Sequence, residues 1–152
     1  AKMQYALVTQ PIFYFAEDES YRTYLSAGQF KNAYRIKSML ATAATALSSD
    51  APCTPWAEPD SPFIAMQAAV NRTAVNGDVV NASEAISIGE AVLGYTKWAA
   101  AIAGLTDSGQ LVVGKRADFV VLNQDLFSVI PDKIGETRVN STWMKGQPVY
   151  ES

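Results

Sequence analysis

The sequence predicts an α/β fold whose final third turns to β structure, and three observations carry that reading. Two short apolar runs, Tyr5 to Thr9 and Ala43 to Ser48, flank a segment in which apolar residues recur at helical spacing. A long amphipathic pattern then occupies Ile88 to Ile102 behind a capping signal. After Gly109 the apolar residues switch to the period of strands.

Taken in order, Tyr5-Ala6-Leu7-Val8-Thr9 reads as a buried strand closed by a loop at Gln10-Pro11. The polar stretch Glu17-Asp18-Glu19-Ser20 follows. Ile36, Met39 and Leu40 mark a helix, and Ala43 to Ser48 a second buried strand that opens into a loop at Asp50. Pro52, Pro55, Pro59 and Pro62 forbid regular structure across that loop. A short helix starts near Pro62, with Phe63, Met66 and Val70 on one face. Asn76-Gly77-Asp78 is a turn. Ser87 and Glu90 have capping-box spacing for one helix carrying Ile88, Ala91, Val92, Tyr95, Trp98, Ala99 and Ile102, which Gly104 terminates. Four strands follow: Gln110–Val113, Asp118–Leu122, Val139–Met144 and Pro148–Tyr150, with turns at Gly114 and Lys145-Gly146-Gln147.

Composition narrows the function classes. With 152 residues, 49% of them hydrophobic and 18% charged, the chain suits one globular core. A net charge of −3 with scattered Lys and Arg argues against nucleic acid and against an anionic membrane surface. A single cysteine, Cys53, excludes an internal disulfide and a multi-cysteine metal site, and fits a reducing, cytoplasmic location. No apolar stretch reaches the ~18 residues that span a bilayer. The chain contains no histidine, the commonest general base and metal ligand near neutral pH. Chemistry must therefore come from carboxylates, hydroxyls or another segment.

Several motifs favour bland readings. Gly109-Gln110-Leu111-Val112-Val113-Gly114-Lys115 has the spacing of a phosphate loop, but Arg116 stands where a Ser or Thr should bind magnesium and a strand follows instead of a helix. Cys53 has no histidine to activate it as a nucleophile. Trp98 and Trp143 sit on apolar faces and are expected in the core rather than on a stacking surface. Asp50 differs, because it ends a buried strand, where an α/β barrel places its catalytic groups. An aspartate after two serines is nevertheless more often a turn or cap residue.

Two stretches read together lift it. Leu47-Ser48-Ser49-Asp50-Ala51-Pro52, and the later Gly109-x-Leu111-x-x-Gly114-Lys115-x-Ala117-Asp118-Phe119-Val120-Val121-Leu122, resemble the amidohydrolase superfamily, specifically the third amidohydrolase subfamily that includes N-substituted formamide deformylase-like enzymes. Ala69-Val70-Asn71-Arg72, Glu90-Ala91-Val92, Tyr95-Thr96 and Ala99-Ala100 resemble that branch's next two helices in the same order. The resemblance implies a C-terminal remnant of a TIM barrel, residues 1–105 with strands seven and eight, followed by a partial composite β-sandwich over residues 106–152. It implies a metal-dependent hydrolase of carbon–nitrogen bonds in which zinc or another divalent metal activates water, with Asp50 as metal ligand and general base. The histidine ligands would come from an N-terminal part of the same protein, so the chain alone is expected to bind no metal and to be inactive. The expected partners are that N-terminal part, a small-molecule amide substrate and further copies of the chain. A non-enzymatic interaction or oligomerisation module is the alternative. Asp118, Arg72 and Glu90 are expected to be structural, Asp118 by accepting N–H bonds in the Gly114-Lys115 turn.

Overall fold

A computed structural model describes residues 5–52, 58 and 60–152. Strand β1 (Ala6–Thr9) is followed by helices α1 (Pro11–Ala16), α2 (Asp18–Tyr24), α3 (Ala27–Lys31) and α4 (Ile36–Thr42), and then by strand β2 (Ala44–Leu47). β1 and β2 pair in parallel, from Ala6 beside Ala44 to Thr9 beside Leu47. Parallel neighbours need a long crossover, and the four helices supply it. The expected loop after Gln10 is a single residue, because Pro11 takes the first helical position, where its missing N–H costs nothing. β1 is a strand as expected but not a buried one. Among the described residues it has a partner on one edge only, so Thr9 is its sole buried residue and Val8 is half exposed.

Helices α5 (Pro62–Asn71), α6 (Ile88–Tyr95) and α7 (Lys97–Ile102) complete the first part. Tyr14, Ile36, Leu47, Phe63, Met66 and Ile86 meet in one core. Arg72 closes α5 in the left-handed conformation, φ 58, and is fully buried. Its Nε donates to the Val80 carbonyl at 2.9 Å and its Nη1 to the Tyr34 carbonyl at 3.0 Å, while the guanidinium lies 4.2 Å from the Tyr14 ring centre. A buried cation is stable here because carbonyl oxygens and an aromatic face replace its water.

The capping box is present: Glu90 N–H donates to Ser87 Oγ at 3.2 Å, and Ser87 N–H donates to Glu90 Oε2 at 2.7 Å. The single helix expected behind it is two helices, broken at Thr96 (φ −123, ψ −91). Thr96 Oγ1 donates to the Val92 carbonyl at 2.7 Å, a back-bond that competes with the helical ladder and bends it. Gly109 crosses over the break, where an added Cβ would lie 2.5 Å from Ala100 Cβ and 2.9 Å from the Thr96 carbonyl oxygen. Gly104, φ 73, ends α7 by donating to the Ala101 carbonyl.

Strands β3 (Phe119–Leu122), β4 (Val139–Met144) and β5 (Gln147–Glu151) form an antiparallel sheet in that order. Lys145 and Gly146, both at positive φ, make the tight β4–β5 turn. The strand expected at Gln110–Val113 does not form. No strand among the described residues lies beside it, and Val113 is fully exposed. No residue of β3, β4 or β5 is buried. Trp143 stacks on Phe119 across two strands, with centroids 5.5 Å apart, rather than entering a core, and Trp98 is half-buried. A 3-10 turn, Pro131–Glu136, ties this part to the first: Gly135 N–H donates to Gln67 Oε1 at 2.7 Å, Asn71 Nδ2 to Asp132 Oδ1 at 2.6 Å, and Ile134 is buried.

Candidate functional site

Parallel pairing brings the carboxyl ends of β1 and β2 to one rim, with Gln10 after one strand and Ser48, Ser49 and Asp50 after the other. Ser48 is held from three directions. Its N–H donates to the Thr9 carbonyl at 3.0 Å, its Oγ accepts from Gln10 Nε2 at 3.0 Å, and its carbonyl accepts from Tyr95 OH at 3.2 Å. Burial pushes the Tyr95 phenol far above its ordinary value, so it remains a donor at any working pH. Gly94 lets α6 approach closely, since a Cβ there would lie 2.7 Å from Leu47 Cγ.

Asp50 stands two residues beyond this anchor, exposed, in the left-handed conformation at φ 57. Aspartate tolerates that region better than most residues. An exposed carboxylate at the carboxyl end of a parallel strand can accept a proton or a hydrogen bond from a molecule above the rim. Gln10, Ser48 and Tyr95 were not picked out from the sequence as site residues. The signal for Gln10 was its place after the first apolar run, which becomes informative only once the two strands are known to be parallel.

The structure separates Asp118 from this rim. It sits at the start of β3, where Oδ1 accepts from Lys145 N–H at 2.8 Å and Oδ2 pairs with Arg116 Nη2 at 2.6 Å. The aspartate thus fastens the β4–β5 turn, not the Gly114-Lys115 turn expected from sequence. Gly109 to Lys115 leads into a strand, which leaves the phosphate-loop spacing without a helix. Cys53 and Trp56 lie outside the described residues.

The donors at this rim do not fit a metal on their own. Zinc takes four ligands, or three plus a water, whereas the chain has no histidine. No group of three or more Cys, Asp or Glu able to hold a metal occurs among the described residues. Two apolar hollows also lie away from Asp50. One of about 590 Å³ is lined by Ala6, Leu40, Thr45 and Trp98 at the opposite end of the strands, and one of about 910 Å³ lies between α6–α7 and the antiparallel sheet.

Residues 1–150 match the sequence profile described as the amidohydrolase family. YtcJ of Bacillus subtilis, whose name places it among the amidohydrolases, is 33% identical over 156 residues, which are 99% of this chain and 29% of that protein. N-substituted formamide deformylase of Arthrobacter pascens is 32% identical over 120 residues, 78% of this chain and 21% of the enzyme. The chain therefore spans less than a third of these relatives. A crystal structure of a metal-dependent hydrolase from Pyrococcus horikoshii OT3 superposes with a TM-score of 0.70 at 26% identity, covering 85% of this chain and 26% of that one. Another from Pyrococcus furiosus gives 0.67 at 27% identity, with 82% and 25% covered.

Proposed function

The chain belongs to the amidohydrolase family, and from that premise we propose that it is the C-terminal portion of a metal-dependent hydrolase of the third subfamily, acting on a non-peptide carbon–nitrogen bond of a small amide. Asp50 is the residue it contributes to the chemistry. The observation that carries this reading is the position of Asp50 at the carboxyl end of β2, beside the carboxyl end of β1, where a parallel α/β barrel builds its active site. In this reading residues 1–105 hold barrel strands seven and eight with their helices, and residues 106–152 belong to a composite β-sandwich. The further ligands of a divalent metal, zinc foremost, lie outside this chain.

Asp50 acts as general base. It takes a proton from the water that attacks the amide carbon and returns it to the departing nitrogen. Thr9 and Tyr95 hold the main chain at Ser48, and Gln10 its hydroxyl, and together they fix how far Asp50 reaches. In the complete protein, Asp50→Asn is expected to lower kcat on N-substituted formamides by about 10²–10⁴-fold. In the 152-residue chain alone the same substitution should leave the melting temperature unchanged, because Asp50 is exposed there. Turnover at the wild-type rate would overturn the assignment. Zinc analysis of the 152-residue chain alone should find no stoichiometric metal, and one tightly held zinc per chain would refute the ligand inventory.

A second reading, a module that assembles with its own copies, is favoured by the open edge of β1 and the exposed side chains of β5. Both readings place the protein in the cytoplasm, in keeping with its single cysteine. No helix among the described residues is long and apolar enough to cross a membrane. Sedimentation at micromolar concentration separates the readings on assembly. Oligomers are expected, and a strict monomer counts against the module.

A further inference from the structure

We propose that Asn76 is a site of spontaneous deamidation, and that its product releases the turn after α5 from helix α2. Of the chain's asparagines only Asn76 is followed by glycine. A neighbour without Cβ gives its backbone nitrogen the least hindered access to the asparagine side chain. The turn is exposed, Gly77 adopts φ 89, and nothing lies within 4 Å of where its Cβ would be.

The chemistry needs only water. The Gly77 nitrogen attacks Asn76 Cγ and loses its proton as the Cγ–Nδ2 bond breaks, so the side-chain nitrogen leaves as ammonia and a five-membered succinimide remains. Water then opens the ring at either carbonyl to give aspartate or isoaspartate, with no change of oxidation state. Asp78 N–H donates to Asn76 Oδ1 at 2.9 Å and so polarises the carbon under attack. Gly77 N–H is itself bonded to the Ala74 carbonyl at 2.9 Å, so the nitrogen becomes a nucleophile only when the turn opens.

The consequence lies in what the amide holds. Asn76 Nδ2 donates to Asp18 Oδ2 at 2.9 Å. Asp18 is 1% exposed, and its other oxygen, Oδ1, has no hydrogen-bond partner. Arg22 serves both neighbouring carboxylates, with Nε 2.6 Å from Asp18 Oδ2 and Nη2 3.1 Å from Asp78 Oδ2. Deamidation removes a donor and leaves three carboxylates facing one guanidinium. Isoaspartate also lengthens the main chain by one carbon inside the turn that closes through Ala74 N–H to the Asp78 carbonyl at 2.9 Å.

The test is to hold the native protein at mildly alkaline pH and physiological temperature and to map its peptides by mass. Asn76 is expected to convert before any other asparagine, and the converted fraction to melt about 5 °C lower. Asn76→Asp should reproduce the part of that loss that comes from the missing donor and the added charge beside Asp18. Adding Asp18→Asn should restore part of it, since the like-charge pair is then gone. Conversion that begins at another asparagine, or Asn76→Asp melting with the wild type, would overturn the proposal. Should Asn76→Asp fail to fold, recovery of a folded protein by the added Asp18→Asn supports it, and failure of both together refutes it.

Discussion

The two halves of the molecule bury their residues in opposite ways. From β1 to α7 the chain closes around Tyr14, Phe63, Met66 and a buried Arg72, whereas β3, β4 and β5 contain no fully buried residue and meet the first half through half-buried Leu122 and Val139, Ile134 and a 3-10 turn. Hydrogen bonding alone gives a sheet its shape, and apolar burial gives it stability. The first half should therefore set the stability of the chain, and the second should depend on its attachment. Amide exchange provides the direct comparison: protection should be high in α5 and low through β3–β5, and equal protection would break the contrast.

Arg72→Ala should have the largest effect in that comparison. It leaves the Val80 and Tyr34 carbonyls without their donor and opens a cavity under Tyr14, at about 4 kcal/mol in chemical denaturation. A loss below about 1 kcal/mol would mean that water takes over those carbonyls. Ile134→Ala comes next, at about 3 kcal/mol, because it empties the contact that holds the sheet to α5. It should expose β3–β5 to proteolysis while α1–α5 stay protected.

Glu84 sharpens the contrast by pH. Burial raises its carboxyl, but the Ser38 hydroxyl at 2.6 Å and N–H at 2.9 Å, with Arg72 and Arg35, outweigh that and hold it below its ordinary 4.5. Its contribution to stability is complete above pH 4.5 and is lost as pH falls through the lowered value. Glu84→Gln should therefore flatten part of the acid limb of stability, and an unchanged limb would remove Glu84 from the account. Trp143→Ala should matter least, at about 1 kcal/mol, since Trp143 is only half-buried and its stack with Phe119 borders a hollow rather than a filled core.

The legible parts of the sequence were those governed by local physics. The capping box at Ser87 and Glu90, the Asn76-Gly77 and Lys145-Gly146 turns, and the helix from Pro62 all depend on neighbours within a few residues. What escaped depends on partners far along the chain. Gln110 to Val113 has strand composition, but no strand among the described residues lies beside it. The break at Thr96 needs one hydroxyl to choose its own helix's carbonyl. At the candidate site, Asp50 could be named only because Ser48-Ser49-Asp50-Ala51-Pro52 and the later Gly114-Lys115-x-Ala117-Asp118 stretch together resemble the amidohydrolases; its place at the end of an apolar run favoured a turn residue. Its anchor could not, because Gln10, Ser48 and Tyr95 meet only through the parallel pairing and the close approach of α6.

The crossing at Gly109 ties the inheritance of the two halves together. A side chain at Gly109 would collide with Ala100, and its backbone conformation, φ 83, disfavours any residue with a Cβ. Substitution there and repair at Ala100 are therefore coupled events on two elements that share no strand or helix. A recombinant that joins the first half of one relative to the second half of another should fold only when residues 96 to 100 and Gly109 descend from compatible parents.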